Sequence, residues 1–453
     1  MAEQQQRVER GIWIYIACFF FLMAFVWVPF LVHWRMKIFL PFLGHWPRLA
    51  YFPLGNLGER FGDLAHFASV HQKLANPRLG NVDHLTGMMF PRNYGSVAVL
   101  LYLFLLGFCS PYGIVVFLSI FVGALAIASF VFWRAARRSP GYRPFMILAI
   151  FGTSLLGFPT QSTMIRGNIE GLLWIGYAAG IGYMFSRKWS KSASVLAIAS
   201  CIKPYPLFFF VPLLLRRKYK QVALGGLILF ITIVGSLTFL GNGNPQRGAE
   251  RIRGGLDVFF ANYIVGFRDV TEVVGDHSLF QTSKSIVRVI KAKGFNLPEK
   301  DYAPQNSMRA GYILLAMYLP VAALSVVWVL WKIRKKPFLN QIFALSICLT
   351  LFTLLAADYT MTILYIPIGL FLLFLLRDVS TGRVALSQIR MQSILIPCAL
   401  LMVPIPIFGI WAGDVRSIVL LCLLLAVIKT PMPMAIDIGE VSTKDGELAE
   451  SSR

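Results

Sequence analysis

The chain predicts an all-α polytopic membrane protein, on three observations. Of its 453 residues, 57% are hydrophobic and only 14% are charged, against roughly 25% charged in an ordinary soluble domain. Window after window of about 17–23 residues carries no charge, which is the length a helix needs to cross the hydrocarbon. These runs are apolar on every side, whereas strands of a membrane barrel alternate apolar and polar residues. The pattern gives about 11–13 membrane helices or re-entrant segments in one domain over residues 1–430. The polar tail, 431–453, reads as disordered and cytoplasmic.

The formal charge of +22 would suggest nucleic acid in a soluble protein. Here Lys and Arg cluster in short loops beside apolar runs, as the positive-inside bias requires, so nucleic acid is set aside as a partner. Cys18, Cys109, Cys201, Cys348, Cys398 and Cys422 lie in or beside apolar segments with no CxxC pair. They read as packing residues, not as metal ligands.

In chain order, Gly11 to Val32 forms the first helix. It is too long for a signal-peptide core and lacks a small-x-small cleavage motif. Residues 33–93 never settle into a span. They hold GERFGDLAHFASVHQKLANP, with aromatic and basic residues among apolar ones, which fits helices in the membrane interface. Apolar runs at 94–109 and 113–133 lead to the basic cluster RAARRSPGYR. Two full crossings there would leave that cluster outside, so either one run is re-entrant or the charge rule fails locally. Spans near 145–160 and 169–185 form a hairpin around QSTMIRGN. The clusters SRKWSK and RRKYK then bracket a short segment, 192–215, and a span follows at 221–241. After the long polar segment 242–309 come a span at 310–331 ending in KIRKK, helices at 338–355 and 360–376, and a last pair at 391–412 and 416–429. With the basic clusters cytoplasmic, 33–93 and 242–309 are extracytoplasmic, as are the turns near 161–168 and 358. No inverted repeat of the kind common in transporters is visible.

The bracketed segment contains ASCIKPYPLFFF. A lysine near the bilayer centre costs about 2.5–3.5 kcal/mol, and the two prolines stop a helix. With basic clusters at both feet, the segment enters the membrane and returns. Ten residues from Ser192 rise about 15 Å, half the core thickness. Irregular backbone at that depth belongs in a protein interior or a watery cavity. An ammonium there needs an anion, and a lipid-linked phosphate is one candidate. A lysine that snorkels, or pairs with a carboxylate such as Glu170, is the other reading.

Other candidates are polar residues at the outer surface. Asp63 is either a solvated loop acid or a general base for an acceptor hydroxyl; one carboxylate suffices when phosphate leaves. Arg166, Gly167, Asn168 and Glu170 make a polar turn. In GDHSLFQTSKSIVRVI, His277 and Ser278 can bind a hydroxyl or phosphate, and Arg288 lies on a weakly amphipathic stretch. Asp358, beside Tyr359, either binds a sugar hydroxyl or a cation, or caps a helix.

Together these segments resemble glycosyltransferase family 87, over roughly 55–375. FGDLAHFASVHQKL is similar to the family's early Asp and aromatic-rich helix. The block from GNIEG through CIKPYPLFFF to RRKYK is similar to its polar turn, apolar helices, Lys-Pro-x-Pro and closing basic cluster. DHSLFQTSKSIVR is similar to its polar-Ser-Leu stretch followed by Arg. The resemblance implies a C-type glycosyltransferase fold in the cell membrane, with the active site facing the extracytoplasmic side. It implies an inverting enzyme of glycolipid or cell-envelope synthesis. The donor would be a polyprenyl-phosphate-linked sugar, usually mannose, and the acceptor a glycolipid or glycan. By resemblance Asp63 is the catalytic base and Lys203 a contact to the donor phosphate, with Arg288 beside it. Asn168, His277, Ser278, Asp358 and Tyr359 are substrate-binding candidates. The family often carries a Trp and a His pair where this chain has Asp358-Tyr359, which points to a different acceptor. No cofactor is implied and no metal motif is present, though a lone Asp bridging Mg²⁺ to phosphate stays open. From another class, a flippase or transporter of a lipid-linked sugar also accounts for a broken helix with a buried lysine.

Overall fold

The computed structural model describes residues 2–36, 95–108, a few positions between 119 and 154, 156–166, 168–266, 276–295, 304–356, 358–380, 387–403 and 412–432. The expected surface segment around Asp63 and the tail beyond 432 lie outside the described residues.

What is described is mainly helical. The chain runs through α1 (Ala2–Met36), α2 (Ser96–Phe108), the short α3 (Phe158–Arg166), α4 (Glu170–Phe185) and α5 (Trp189–Ile202). A 3-10 turn, Tyr205–Phe210, and α6 (Val211–Leu215) lead into α7 (Tyr219–Leu240). Next is α8 (Pro245–Phe259), continued as a π-helical turn over Phe260–Val265. Then come α9 (Leu279–Phe295), α10 (Pro304–Ile333), α11 (Phe338–Leu351) and a 3-10 turn, Asp358–Leu364. The last three helices are α12 (Tyr365–Ser380), α13 (Gln388–Leu401) and α14 (Ala412–Lys429).

Two stretches, Tyr219–Leu240 and Met308–Ile333, are long and apolar enough to cross a membrane. Their outer sides are open. Leu227, Phe230 and Ile231 of α7 and Met317, Leu324 and Val327 of α10 are exposed. Continuous apolar surface of this kind is unfavourable in water and matches lipid. At the centre, every residue of α11 from Leu339 to Leu351 is buried, as expected of a helix apolar almost all round. It is enclosed by α14, α12, α10, α6 and both 3-10 turns.

Small residues set the closest packing. A Cβ built on Gly176 would meet the Cβ of Ala199 at 2.8 Å, and one on Gly180 would meet Leu196 at 2.7 Å. Glycines four residues apart on α4 therefore let α5 approach backbone to backbone, as membrane helices do where lipid supplies no hydrophobic drive. The Ser192 hydroxyl donates to the Gly180 carbonyl at 2.7 Å and fixes the register.

α5 and its return form a hairpin between the two basic clusters. Lys203 ends α5 in extended backbone (φ −146°, ψ 144°), because Pro204 disfavours helix in the residue before it. The 3-10 turn and α6 then bring the chain back. Both feet lie together, with Lys218 Nζ 5.7 Å from the centre of the Trp189 ring. The 14 residues of α5 rise about 21 Å, which sets Lys203 that far along the helix from the feet.

Two further elements differ from expectation. The stretch expected as a loop around QSTMIRGN is largely α3, and a turn at 169 leads into α4. The polar segment 242–309 is also helical in part. Asn244 caps α8, its Oδ1 accepting from the Gln246 and Arg247 N–H groups at 2.9 and 3.4 Å, and Pro245 occupies the first helical position.

Candidate functional site

The prolines at the α5 apex end the helix, and Pro204 caps a tighter one. Tyr205 opens that 3-10 turn, two residues beyond Lys203, which is buried. Tyr205 lines a narrow cleft with Leu349, Thr350, Thr353, Ala356, Thr360 and Ile363. The cleft opens at the C-terminal end of α11. Its wall is apolar, interrupted by three threonines and one tyrosine.

His277 approaches the same place from the end of the polar segment 242–309. Its Nε2 lies 3.4 Å from the Thr360 Oγ1, its carbonyl accepts from Ser417 Oγ at 2.8 Å, and its N–H donates to the Ala356 carbonyl at 2.9 Å. Ser278 caps α9, its Oγ accepting from the Gln281 N–H at 3.2 Å. Both residues are fully buried.

The residue that fastens this loop is Asp276. Its Oδ1 accepts from the Ser278 N–H and from the Ala356 N–H, each at 2.9 Å. One oxygen thus joins the His277 loop to the cleft wall 80 residues later. Oδ2 is buried and has no hydrogen-bond partner among the described residues. Burial pushes the Asp276 carboxyl up to about 7, against the two backbone N–H groups and Lys284, which pull it down. Lys284 is itself buried, and its Nζ donates to the carbonyls of Tyr263 and Gly266 at 3.0 Å each. That contact ties α9 to the end of the π-helical turn.

Asn168 is fully buried, and its N–H donates to the Thr163 carbonyl at 3.3 Å. The neighbouring Ile169 N–H donates to the Tyr102 hydroxyl at 3.0 Å. The flanking helices α3 and α4 both pack on the 3-10 turn Asp358–Leu364. Thr160 anchors that contact, its N–H and hydroxyl donating to the Tyr365 hydroxyl at 3.1 and 2.9 Å. Asp358 and Tyr359 begin this turn and Arg288 lies within α9; the side chains of all three lie outside the described residues, as do Glu170's side chain and the whole of Asp63.

The structure thus gathers the Lys203 apex, through Tyr205, with His277 and with the turn that starts at Asp358. Sequence reasoning missed Asp276, Tyr205 and the threonines. Asp-x-Ser before an apolar run is a cap-like signal that points to Asp276 and Ser278; the tie to Ala356 has no local signal. Among the described residues no three His, Cys, Asp or Glu side chains gather to hold a metal ion.

The family model described as glycosyltransferase family 87 matches residues 93–357. The match takes in Asn168, Lys203, Asp276 and His277, starts after Asp63 and stops just short of Asp358. No curated protein and no solved structure matches the chain.

Proposed function

The chain belongs to glycosyltransferase family 87, and on that premise we propose that it is a polytopic, inverting membrane enzyme that takes a hexose, mannose in the first instance, from a polyprenyl-phosphate donor. The acceptor is a lipid-linked or glycan hydroxyl on the extracytoplasmic face. The observation that supports this reading is a cleft lined by Tyr205, two residues beyond Lys203, and by Thr360, whose Oγ1 lies 3.4 Å from His277 Nε2. A lipid-linked donor needs a polar site reached from within the bilayer, and the apex of a re-entrant pair is such a place.

In this reading Asp63 takes the proton from the acceptor hydroxyl. The acceptor oxygen attacks the anomeric carbon from the side opposite the phosphate. The bond from that carbon to the phosphate oxygen breaks, and polyprenyl phosphate leaves with the electron pair. Configuration inverts. Lys203 offsets the charge gathering on the phosphate; a preorganised cation in a dry site is worth far more than in water. Arg288 is kept as a second phosphate contact. His277 and the cleft threonines meet sugar hydroxyls, with Asn168, Ser278, Asp358 and Tyr359 as further contacts. No cofactor enters the scheme.

Membranes containing the protein, supplied with radiolabelled polyprenyl-phosphate mannose, test the reaction class. Label appearing in a glycolipid is the expected result. Label crossing the bilayer still on its carrier would replace this reading with transport.

A further inference from the structure

Between the end of α11 and the 3-10 turn at Asp358 the backbone is irregular, and Thr353 and Ala356 from this stretch line the cleft. Ala356 is buried, so its N–H and carbonyl need partners from elsewhere in the protein. Both partners come from the loop before α9. The Ala356 N–H donates to Asp276 Oδ1 and the Ala356 carbonyl accepts from the His277 N–H, each at 2.9 Å. These two bonds lay residues 276 and 277 against the cleft wall, on which Thr360 stands four residues further on.

His277 is also fixed from its other side. Ser417, on α14, donates to the His277 carbonyl at 2.8 Å and to the Gly413 carbonyl at 3.1 Å. Thr282 Oγ1 in turn donates to Ser417 Oγ at 3.0 Å. The His277 N–H is thus taken by the cleft wall and its carbonyl by α14, while Asp276 Oδ1 closes the loop through the Ser278 N–H. Asp276, His277 and Ser417 are all buried. Burying polar side chains costs stability, and apolar residues of similar size hold a loop without that cost. What hydrogen bonds add to packing is direction. Here they direct one side chain: the His277 ring, whose Nε2 meets Thr360 Oγ1 at 3.4 Å.

We propose that Asp276 and Ser417 are positioning residues for sugar transfer, holding the His277 backbone from two sides so that its imidazole and Thr360 are presented together to the donor sugar. The proposal rests on the glycosyltransferase reading above. Neither residue touches substrate; each acts through His277.

The test measures transfer from polyprenyl-phosphate mannose in proteoliposomes holding the full chain. Asp276→Ala should lower kcat by about 100-fold, as displacement of a site group by about 1 Å does, with the donor KM moved less than about threefold. Asp276→Asn keeps an oxygen that accepts both N–H groups and should rescue transfer to within roughly tenfold of wild type. In a His277→Ala background the further loss from Asp276→Ala should shrink at least roughly tenfold, since the ring being positioned is gone. Losses that simply multiply, or no rescue by Asp276→Asn, show a merely structural role and overturn the proposal. If Asp276→Ala does not fold, Ser417→Ala carries the same comparison with His277→Ala. Hydrogen exchange over 276–282 and 353–360 reads the clamp without substrate: it should quicken in Asp276→Ala and return toward wild type in Asp276→Asn. If wild type transfers no sugar, the glycosyltransferase reading falls and exchange alone judges the clamp, which unchanged exchange in Asp276→Ala overturns.

Discussion

Lys203 and Asp276 are both buried ionisable residues, and burial makes opposite demands on them. An ammonium deep in an apolar bundle calls for an anion, which the proposed donor phosphate supplies. Asp276 instead answers burial with a carboxyl that ionises less readily. Its carboxyl is raised from 3.8 to about 7, so its contribution to stability is full below about pH 4 and is lost as pH rises through about 7. Wild type should therefore lose melting temperature as pH rises from about 4 to about 7 and level off above that, and Asp276→Asn should flatten that fall. A steeper fall in the variant would contradict the assignment. At Asp63 the expectation concerns rate. Asp63→Asn should insert into membranes normally and lose transfer by about 10²–10⁴-fold, the usual worth of a general base; transfer at the parental rate in membranes would remove Asp63 from the scheme.

At the scale of elements, the α4–α5 pair depends on two glycines. Gly180→Leu drives a side chain into Leu196 and should cost about 1–3 kcal/mol, the usual penalty for overpacking. Gly182 faces open space, with nothing within 4 Å of a built Cβ, so Gly182→Ala should gain up to about 1 kcal/mol from helix propensity. Thermal melts of both variants in detergent check the pair, and equal melting temperatures would contradict the packing account. The hairpin itself was legible in the sequence because three local signals agree: basic clusters at both feet, too few residues between them for two full spans, and prolines at the apex. The helices inside 242–309 were less visible. Their charged residues, such as Arg253 and Asp257 paired at 3.6 Å on α8, read equally well as a solvated loop. The latch from Asp276 to Ala356 was invisible, because it joins residues that only the fold brings together. So too with Asn340: its amide donates to the carbonyls of Val427 and Thr430 at 2.7 Å each, and no local pattern anticipates a polar pair of bonds inside a buried helix.

For the whole molecule, charge and chemistry are separated along the helix axes. The basic turns at 186–191, 216–220 and 332–336 gather around Phe338, one helix length from the cleft at the other end of α11. Under the positive-inside rule that polarity agrees with the proposed orientation, the cleft toward the extracytoplasmic side. The central claim is that the buried lysine at the hairpin apex handles the donor's phosphate. The direct measurement is the donor-concentration dependence of sugar transfer in proteoliposomes for wild type and Lys203→Ala at fixed acceptor. The account predicts that kcat/KM for the polyprenyl-phosphate sugar falls by about 100-fold while the acceptor KM is unchanged. An unaltered donor kcat/KM in the Lys203→Ala variant would contradict it.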